Sequence, residues 1–261
     1  MTNSQRTIKY IAIALAIVII LSMVSGVVWL CKNIFEFKFM FPYDNSKLTS
    51  EKYELDSYKD IAIDVGASNL TIRSCDKSTL EITDNIKYEI RNEELLIKDE
   101  NHRYNKNSKI VLCIHNGIFD EIKISGGAGD MIISDLEANK ITFELGAGKV
   151  GIDNLVALES FKLSGGAGEV KIFDASLANA IINLGVGNFT LDTVLIEDAD
   201  IDMGIGNLDI TLRNGIEKYK FDIEKGIGNI SIDGEKKSSG LYGDGPTIVK
   251  IDGGIGNIKI K

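Results

Sequence analysis

The sequence repeats a Gly-x-Gly motif about every 20 residues along its C-terminal half. The paired glycines are Gly127 and Gly129, Gly146 and Gly148, Gly166 and Gly168, Gly185 and Gly187, Gly204 and Gly206, Gly226 and Gly228, and Gly254 and Gly256. A unit of this length cannot bury its own inner face, so neighbouring units must stack to form a continuous core. The repeat therefore predicts an all-β fold, a parallel β-helix or solenoid of about 20-residue coils, and the chirality of parallel crossovers favours right-handed winding.

Apolar residues alternate with polar ones on both sides of each glycine pair. In the copy centred on Ile205, the apolar set is Ala199, Ile201, Met203, Ile205, Leu208 and Ile210. Such alternation predicts two strands per coil, each with one buried face. It also assigns the residue between the two glycines to that buried face. Lys225 is the clear exception among these inward positions.

The pattern divides the chain into a short tail at 1–7, a transmembrane helix at 8–31, a juxtamembrane linker at 32–57 and a β-solenoid domain at 58–261. Within that domain, 121–261 contain the regular coils, and 58–120 form the first coils with an irregular N-terminal cap, which begins with the degenerate motif Gly66-Ala67-Ser68. Longer strands at 76–115 are expected to form a hairpin-like cap. The polar insertion at 233–246 is expected to protrude as a loop.

The segment from Ile8 to Cys31 is almost wholly apolar, with Lys9 near its start and Trp29 near its end. About 20 apolar residues span the ~30 Å hydrocarbon layer, and tryptophan favours the membrane interface. This predicts a single-pass cell-membrane protein. A cleaved signal peptide is the alternative, although its apolar region is normally shorter. A slight excess of positive charge before the helix favours an extracytoplasmic C-terminal domain.

The charge balance excludes one class of partner. The net charge is −9, and the first 50 residues contribute +3, which leaves −12 for the remainder. Such an acidic domain repels phosphate backbones, so no nucleic-acid partner is expected. Three cysteines, Cys31, Cys75 and Cys113, show no metal-binding spacing, and a Cys75–Cys113 disulfide stays open because spacing alone does not decide it.

Two polar columns are candidate sites. Asn188, Asn207, Asn229 and Asn257 follow the second glycine of the last four motifs, and stacked coils would place them in an asparagine ladder with a structural role. Asp202, Glu224 and Asp252 precede the glycines, with Asp200 and Asp222 two residues earlier. Stacked carboxylates repel unless they are solvated or bridged by a cation, so this column is a candidate weak Ca²⁺ site and otherwise a solvated acidic face.

No catalytic constellation is evident. The two histidines, His102 and His115, lie in the irregular region without an obvious nucleophile nearby. We therefore predict a chain that is not an enzyme and has no cofactor other than the candidate calcium. The alternative is a polysaccharide-acting β-helix enzyme that uses the acidic column.

Three stretches carry a resemblance to a known family. They are Gly-Gly-Ala-Gly-Asp-Met-Ile-Ile at 126–133, Gly-Ile-Gly-Asn-Ile-Lys-Ile at 254–260 and Ile-Val-Leu-Cys-Ile at 110–114. With these, residues 58–261 resemble the putative-adhesin β-strand-repeat family of bacterial cell-envelope proteins, a domain of unknown function. His115-Asn116 stands where that family usually has a proline.

The resemblance implies a membrane-anchored envelope protein and supplies no catalytic residues. The expected function is therefore an adhesin-like binding module whose partner is an envelope polymer or a membrane protein. A cytoplasmic, membrane-attached filament former is a further alternative, because a bare last coil would expose unpaired strand edges.

Overall fold

Alternating β-branched and polar residues give strands throughout the part of the chain that the computed structural model describes, residues 48–99, 107–115 and 117–261. The predicted transmembrane helix at 8–31, Cys31, most of the linker and His102 lie outside these residues. The strands are β1 Ser50–Glu54, β2 Asp60–Val65, β3 Asn69–Ser74, β4 Thr79–Thr83, β5 Ile86–Arg91, β6 Glu94–Asp99, β7 Lys109–Ile114, β8 Phe119–Ala128, β9 Met131–Leu177, β10 Ala180–Leu195, β11 Ala199–Leu212, β12 Tyr219–Ile227, β13 Ile230–Ile232, β14 Glu235–Lys237, β15 Gly240–Tyr242 and β16 Thr247–Ile260. A short 3-10 helix, Ile216–Lys218, precedes β12. No helix in the described ranges is both long and apolar enough to cross a bilayer.

The main strands stack in parallel, as the repeat predicts. We name each coil after the residue between its two glycines. Strand β9 continues around corners through the Ala147 and Ala167 coils, and β10 pairs in parallel with β9 on one side and β11 on the other. Side chains at the alternating positions fill one continuous core that includes Phe143, Phe161 and Phe189. The all-β parallel solenoid is therefore confirmed, and right-handed winding stays a prediction.

The corner glycines differ from the expected arrangement in one respect. The residue between them faces outward: Val186, Ile205 and Ile255 are each about half exposed, at 52%, 49% and 50%. The assignment of this position to the buried face was therefore wrong. Period-two alternation breaks here because the second glycine adopts a positive φ, +147° at Gly187 and +144° at Gly206, which turns the chain before the next strand begins.

The C-terminal coils do not stack in sequence order. Strand β16 pairs in parallel with β11 on one side and β12 on the other. The last coil of the chain therefore lies between the Ile205 and Ile227 coils instead of at the end. The expectation of a bare last coil was wrong.

The corner glycines of these coils record the changed order. Sequence order would place Gly228 on Gly206 and Gly256 on Gly228. Instead, Gly256 lies against the backbone of Gly206, and Gly228 lies against the backbone of Gly256. Gly228 falls just beyond the end of β12, whereas Gly256 is inside β16. Both glycines still stack on the equivalent glycine of the neighbouring coil, in the order Gly206, Gly256, Gly228.

Charge pairing gives a physical reason for this order. Asp200 is in register with Lys250, and Lys250 is in register with Asp222. Stacking in sequence order would place Asp222 directly on Asp200, and like charges directly opposite each other on neighbouring strands are destabilising. The inserted strand replaces that repulsion with an acid–lysine–acid column.

The N-terminal end repeats this arrangement. Strand β2 lies between β6 and β8, while β3 lies between β7 and β9. The coil made by β6 and β7 carries no glycine corner and sits outside the Ala67 coil, although it follows that coil in sequence. At both ends of the stack, the outermost coil therefore comes from the interior of the solenoid sequence.

Antiparallel strands cover the edges of both end coils. At the N-terminal end, β5 pairs with β6, β4 pairs with β7, and β1 pairs with β4. At the C-terminal end, β14 pairs with β13 and β15 pairs with β12. The insertion at 233–246 is thus folded back onto the Ile227 coil, and its prediction as a protruding loop was wrong. The outer edges of the sheet are therefore formed by cap strands such as β1 and β15, each of which pairs on one side only.

A disulfide joins Cys75 and Cys113. It spans 38 residues and connects the end of β3 to β7. This bond ties the glycine-free end coil to the Ala67 coil beside it.

The position of Lys225 explains its exception to the apolar pattern. It lies in the Ile227 coil, the last of the stack, so no further coil covers it. Its Nζ donates a hydrogen bond to the carbonyl of Ile227 at 2.6 Å, and desolvation lowers its pKa. A long side chain with a polar tip can close a core where stacking stops.

Tyr219 fixes the start of the C-terminal end coil. Its side chain is fully buried, and its hydroxyl accepts a hydrogen bond from the Leu195 amide at 3.1 Å and donates one to Asn214 Oδ1 at 2.6 Å. We expect Tyr219→Phe to lower the free energy of unfolding by about 1–3 kcal/mol, because the buried Leu195 amide loses its partner. Urea unfolding measures this, with Tyr242→Phe as a control because the Tyr242 hydroxyl bonds the exposed Ser238. An unchanged midpoint for Tyr219→Phe would mean that its hydroxyl contributes nothing.

Candidate functional site

An exposed apolar ridge runs along one corner of the solenoid. It consists of the residues between the paired glycines, in register from Ala128 to Ala147, from Ala167 through Val186 to Ile205, and then through Ile255 to Ile227. The side chains grow from alanine to valine to isoleucine toward the C-terminal end. Ile227, in the end coil, is 69% exposed. A row of large aliphatic side chains in water has an unfavourable hydration free energy, which contact with a partner would relieve.

Glycine on both sides of the ridge is required by the packing of the coils. A Cβ on Gly187 or Gly206 would overlap the backbone oxygen of the equivalent glycine in the neighbouring coil. The same overlap, with the oxygen under 3.0 Å away, is found at Gly127, Gly129, Gly146, Gly148, Gly166, Gly168, Gly185, Gly204, Gly226, Gly228, Gly254 and Gly256. The backbones therefore approach too closely for any side chain beside the ridge. This leaves the ridge residues standing alone above a floor of bare main chain.

An asparagine row follows the ridge on its C-terminal side. Asn207 Nδ2 donates to Asn188 Oδ1 at 3.0 Å, Asn257 donates to Asn207 at 3.0 Å, and Asn229 donates to Asn257 at 3.2 Å. The order is 188, 207, 257, 229, because the last coil is inserted. The side-chain amides thus bond one another along the stack, in the arrangement expected of a structural ladder.

An acidic column borders the ridge on its other side. Asp202 is in register with Asp252, and Asp252 is in register with Glu224. In the same column on earlier coils lie Asp64, Ser125, Glu144, Ser164 and Asn183. On the coils that carry glycine corners, no lysine or arginine occupies this column. Its acidic residues are densest on the coils where the ridge carries isoleucine.

A shallow groove lies between the acidic column and the corner glycines. Its first section, of about 770 Å³, reaches from Asp64 to Asp202 over the glycine floor. Its second section, of about 670 Å³, includes Asp252 and Glu224 and ends at the hairpin residues Ser239 and Gly240. The register of Asp202 with Asp252 connects the two sections.

The last four coils of the stack therefore combine three features, and we call this surface the C-terminal face. Its members are the ridge Val186, Ile205, Ile255 and Ile227, the row Asn188, Asn207, Asn257 and Asn229, and the acidic residues Asp202, Asp252 and Glu224. At the Val186 coil, the ridge residues change from alanine to branched aliphatic side chains, and the row residues change from charged side chains to asparagine. The acidic residues become continuous one coil later.

The candidate calcium ligands are only partly brought together. Oxygens of Asp200, Asp202 and Asp252 lie within 4.8 Å of one another. Glu224 belongs to the column but not to this group, and Asp200 takes its place. Lys250 Nζ lies 2.6 Å from Asp252 Oδ2, so a cation from the chain itself already neutralises part of the charge. The Ca²⁺ site stays a prediction.

The enzyme alternative uses the same carboxylates. Lys250 Nζ lies 2.6 Å from Asp252 Oδ2, so one of these carboxylates is already paired with a cation of the chain itself. The polysaccharide-acting enzyme stays a hypothesis.

The surroundings of the Asp202 carboxyl disfavour its ionised form. Partial desolvation, followed by the charges of Asp200 and Asp252, raises the pKa of its carboxyl. A raised pKa in the folded state means that the fold favours the protonated acid, so its ionisation lowers stability as pH rises through the ordinary aspartate range and above.

We therefore expect Asp202→Asn to raise the melting temperature at pH 7, with the gain disappearing below the ordinary aspartate pKa of about 3.9. Thermal unfolding across this pH range tests it, with Asp153→Asn as a control on an exposed carboxylate of another coil. A melting temperature at pH 7 that falls in Asp202→Asn would contradict the expectation. Repeating the series with CaCl₂ tests the calcium prediction, because stabilisation by calcium requires the Asp202 carboxylate.

Sequence reasoning found the acidic and asparagine columns but missed the ridge. The signal was present: the residue between the glycines is apolar in every copy and grows in size along the chain. It was read as core because the alternation continues through the first glycine without a visible break.

The fold and the surface together define a class of protein: a parallel β-solenoid with backbone-packed glycine corners, capped ends and an exposed apolar ridge. Residues 58–242 match the Toastrack DUF4097 family, and the chain belongs to that family. This confirms the resemblance to the putative-adhesin repeat domains. None of the curated proteins matches the chain.

Several solved structures of bacterial proteins are similar to this chain at low identity. A putative adhesin from Bacteroides fragilis NCTC 9343 is 17% identical with a TM-score of 0.42, and the match covers 84% of this chain and 99% of that one. A putative cell adhesion protein from Clostridium sporogenes ATCC 15579 is 18% identical, with a TM-score of 0.35 and coverage of 82% and 100%. A putative lipid binding protein from Parabacteroides distasonis ATCC 8503 is 15% identical, with a TM-score of 0.39 and coverage of 84% and 98%.

Proposed function

We propose that this protein is a membrane-anchored, extracytoplasmic binding module of the cell envelope that has no enzymatic activity. The observation that carries the proposal is the ridge of the C-terminal face, where four branched aliphatic side chains stand exposed in register. A rigid stack with an exposed apolar row is suited to contact with a partner.

One feature supports the anchor and another the extracytoplasmic location. The apolar segment at 8–31 is long enough to span a membrane, with the solenoid following it. The Cys75–Cys113 disulfide is a kind of bond that persists in oxidising compartments and is rare in the cytosol. The partner would be an envelope polymer or a membrane protein.

The filament alternative loses its premise in this structure. It required a bare last coil, whereas β16 is internal and antiparallel strands cover both end coils.

Protease shaving of intact cells that carry a C-terminal tag tests the location. The proposal predicts that the tag is lost from intact cells and that a cytoplasmic marker survives until lysis. A tag that survives in intact cells but is removed after lysis would place the solenoid on the cytoplasmic side and overturn the proposal.

A further inference from the structure

The C-terminal face combines two properties that together specify the chemistry of a partner. Its ridge offers aliphatic contact through Val186, Ile205, Ile255 and Ile227, all about half or more exposed. The groove beside the ridge is bordered by Asp202, Asp252 and Glu224. Lys225 also lines its second section, and its Nζ is held by the Ile227 carbonyl.

The negative charge beside the ridge is compensated only in part. Among the ion pairs of the described residues, only Asp252 of these three carboxylates has a lysine partner. Desolvation, followed by the charges of Asp200 and Asp252, raises the pKa of the Asp202 carboxyl. A positive group placed in the groove would relieve this repulsion, and partial exclusion of water by an apolar neighbour would strengthen the attraction.

The shape favours an extended partner. Four coils at ~4.8 Å spacing give a row roughly 14 Å long, which matches four or five residues of an extended chain at ~3.3 Å each. The glycine floor lets such a chain approach the backbone, and alternate side chains of an extended segment point to opposite sides. One side can therefore contact the ridge while the other reaches the carboxylates.

We propose that the C-terminal face binds an extended, cationic segment of a partner protein in which basic and aliphatic residues alternate. This rests on the proposed binding function and gives it a site and a partner class. The aliphatic residues pack along the ridge from Ile205 to Ile227, and the basic residues reach the column of Asp202, Asp252 and Glu224.

The test uses the full-length chain in nanodiscs and fluorescent synthetic peptides of about eight residues, a length that exceeds the row. An alternating Lys–Val peptide is compared with Glu–Val and Lys–Ser peptides by fluorescence anisotropy. We expect only Lys–Val to bind well and its affinity to fall as salt rises. Ile205→Ser, and separately the pair Asp202→Asn with Glu224→Gln, should each weaken binding at least tenfold.

Matched control variants distinguish binding at this site from nonspecific binding to other exposed apolar or acidic residues. Ile132 is 61% exposed on another surface, and Asp153 is an exposed acid away from the groove. Ile132→Ser and Asp153→Asn should leave Lys–Val binding unchanged. Equal binding of Glu–Val, equal losses in the control variants, or no binding of Lys–Val would overturn the inference.

Two further probes distinguish failure of this inference from failure of the proposed function. Cell-wall fractions and vesicles of anionic lipid are tested with the same variants. If either binds in an Ile205-dependent way while Lys–Val does not, the cationic segment is the wrong partner and the binding module stands. If no probe binds, both proposals fail.

Discussion

Gly206→Ala is expected to destabilise the solenoid by about 3 kcal/mol or more, a large part of the roughly 5–15 kcal/mol by which an ordinary domain is stable. Two costs combine at this position. Gly206 has a φ of +144°, which side-chain-bearing residues rarely adopt, and a Cβ there would overlap the backbone oxygen of Gly187. A backbone atom in a stacked coil cannot move aside without disturbing the coil to which it belongs.

Three other glycines separate these two costs. A Cβ on Gly204 would lie 2.6 Å from the Gly185 oxygen but needs no positive φ, whereas Gly234 has a φ of +78° with open space around it. Gly151 has neither constraint. Denaturant unfolding should therefore rank the alanine variants with Gly206 the most destabilised, Gly204 and Gly234 less so, and Gly151 near wild type. A Gly206 variant as stable as the Gly151 variant would contradict the account of the corner.

Loss of the Cys75–Cys113 disulfide is expected to cost about 4 kcal/mol by the entropy of closing a loop of this length. The bond spans 38 residues, and those residues include the cap strands β4 and β5 and the glycine-free end coil. Without it, the unfolded chain gains freedom, and the end coil loses its covalent link to the Ala67 coil.

The double variant Cys75→Ser/Cys113→Ala should show this loss of stability in denaturant unfolding. The wild type should lose a similar amount when a reducing agent is added. Cys31→Ser serves as the control, since Cys31 lies outside the disulfide. Equal stability of the double variant and the wild type would contradict the expectation. Thiol trapping in intact cells adds a second reading, because an extracytoplasmic domain should hold the bond oxidised.

The sequence predicts the strands and their stacking well because a core position repeated every coil is a strong signal. Ile201, Ile210 and Ile258 alternate with polar neighbours and are buried as expected. The orientation of Ile205 could not be predicted from alternation, since it depends on the backbone turn at the glycines. The positive φ of a glycine does not alter which positions are apolar, so the hydrophobic pattern cannot reveal the turn.

The order of the coils could not be predicted for a different reason. All coils carry the same pattern, so hydrophobicity alone lets any coil stack on any other, and nothing in the motif itself tells Gly256 to lie between Gly206 and Gly228. The discriminating information lies in charges such as Lys250, and in the hairpin strands β14 and β15 that occupy the end. The carboxylates that lie together are therefore Asp200, Asp202 and Asp252 instead of the predicted Asp202, Glu224 and Asp252, because the inserted coil brings Asp252 beside the Ile205 coil.

Photo-crosslinking in living cells tests whether the ridge of the C-terminal face is the contact surface of this protein. A photoreactive phenylalanine analogue is placed at position 205 and, as a control, at position 132. We expect a discrete crosslinked species from position 205 that Asp202→Asn with Glu224→Gln abolishes, and no such species from position 132. The same species from both positions, or none from position 205, would contradict it.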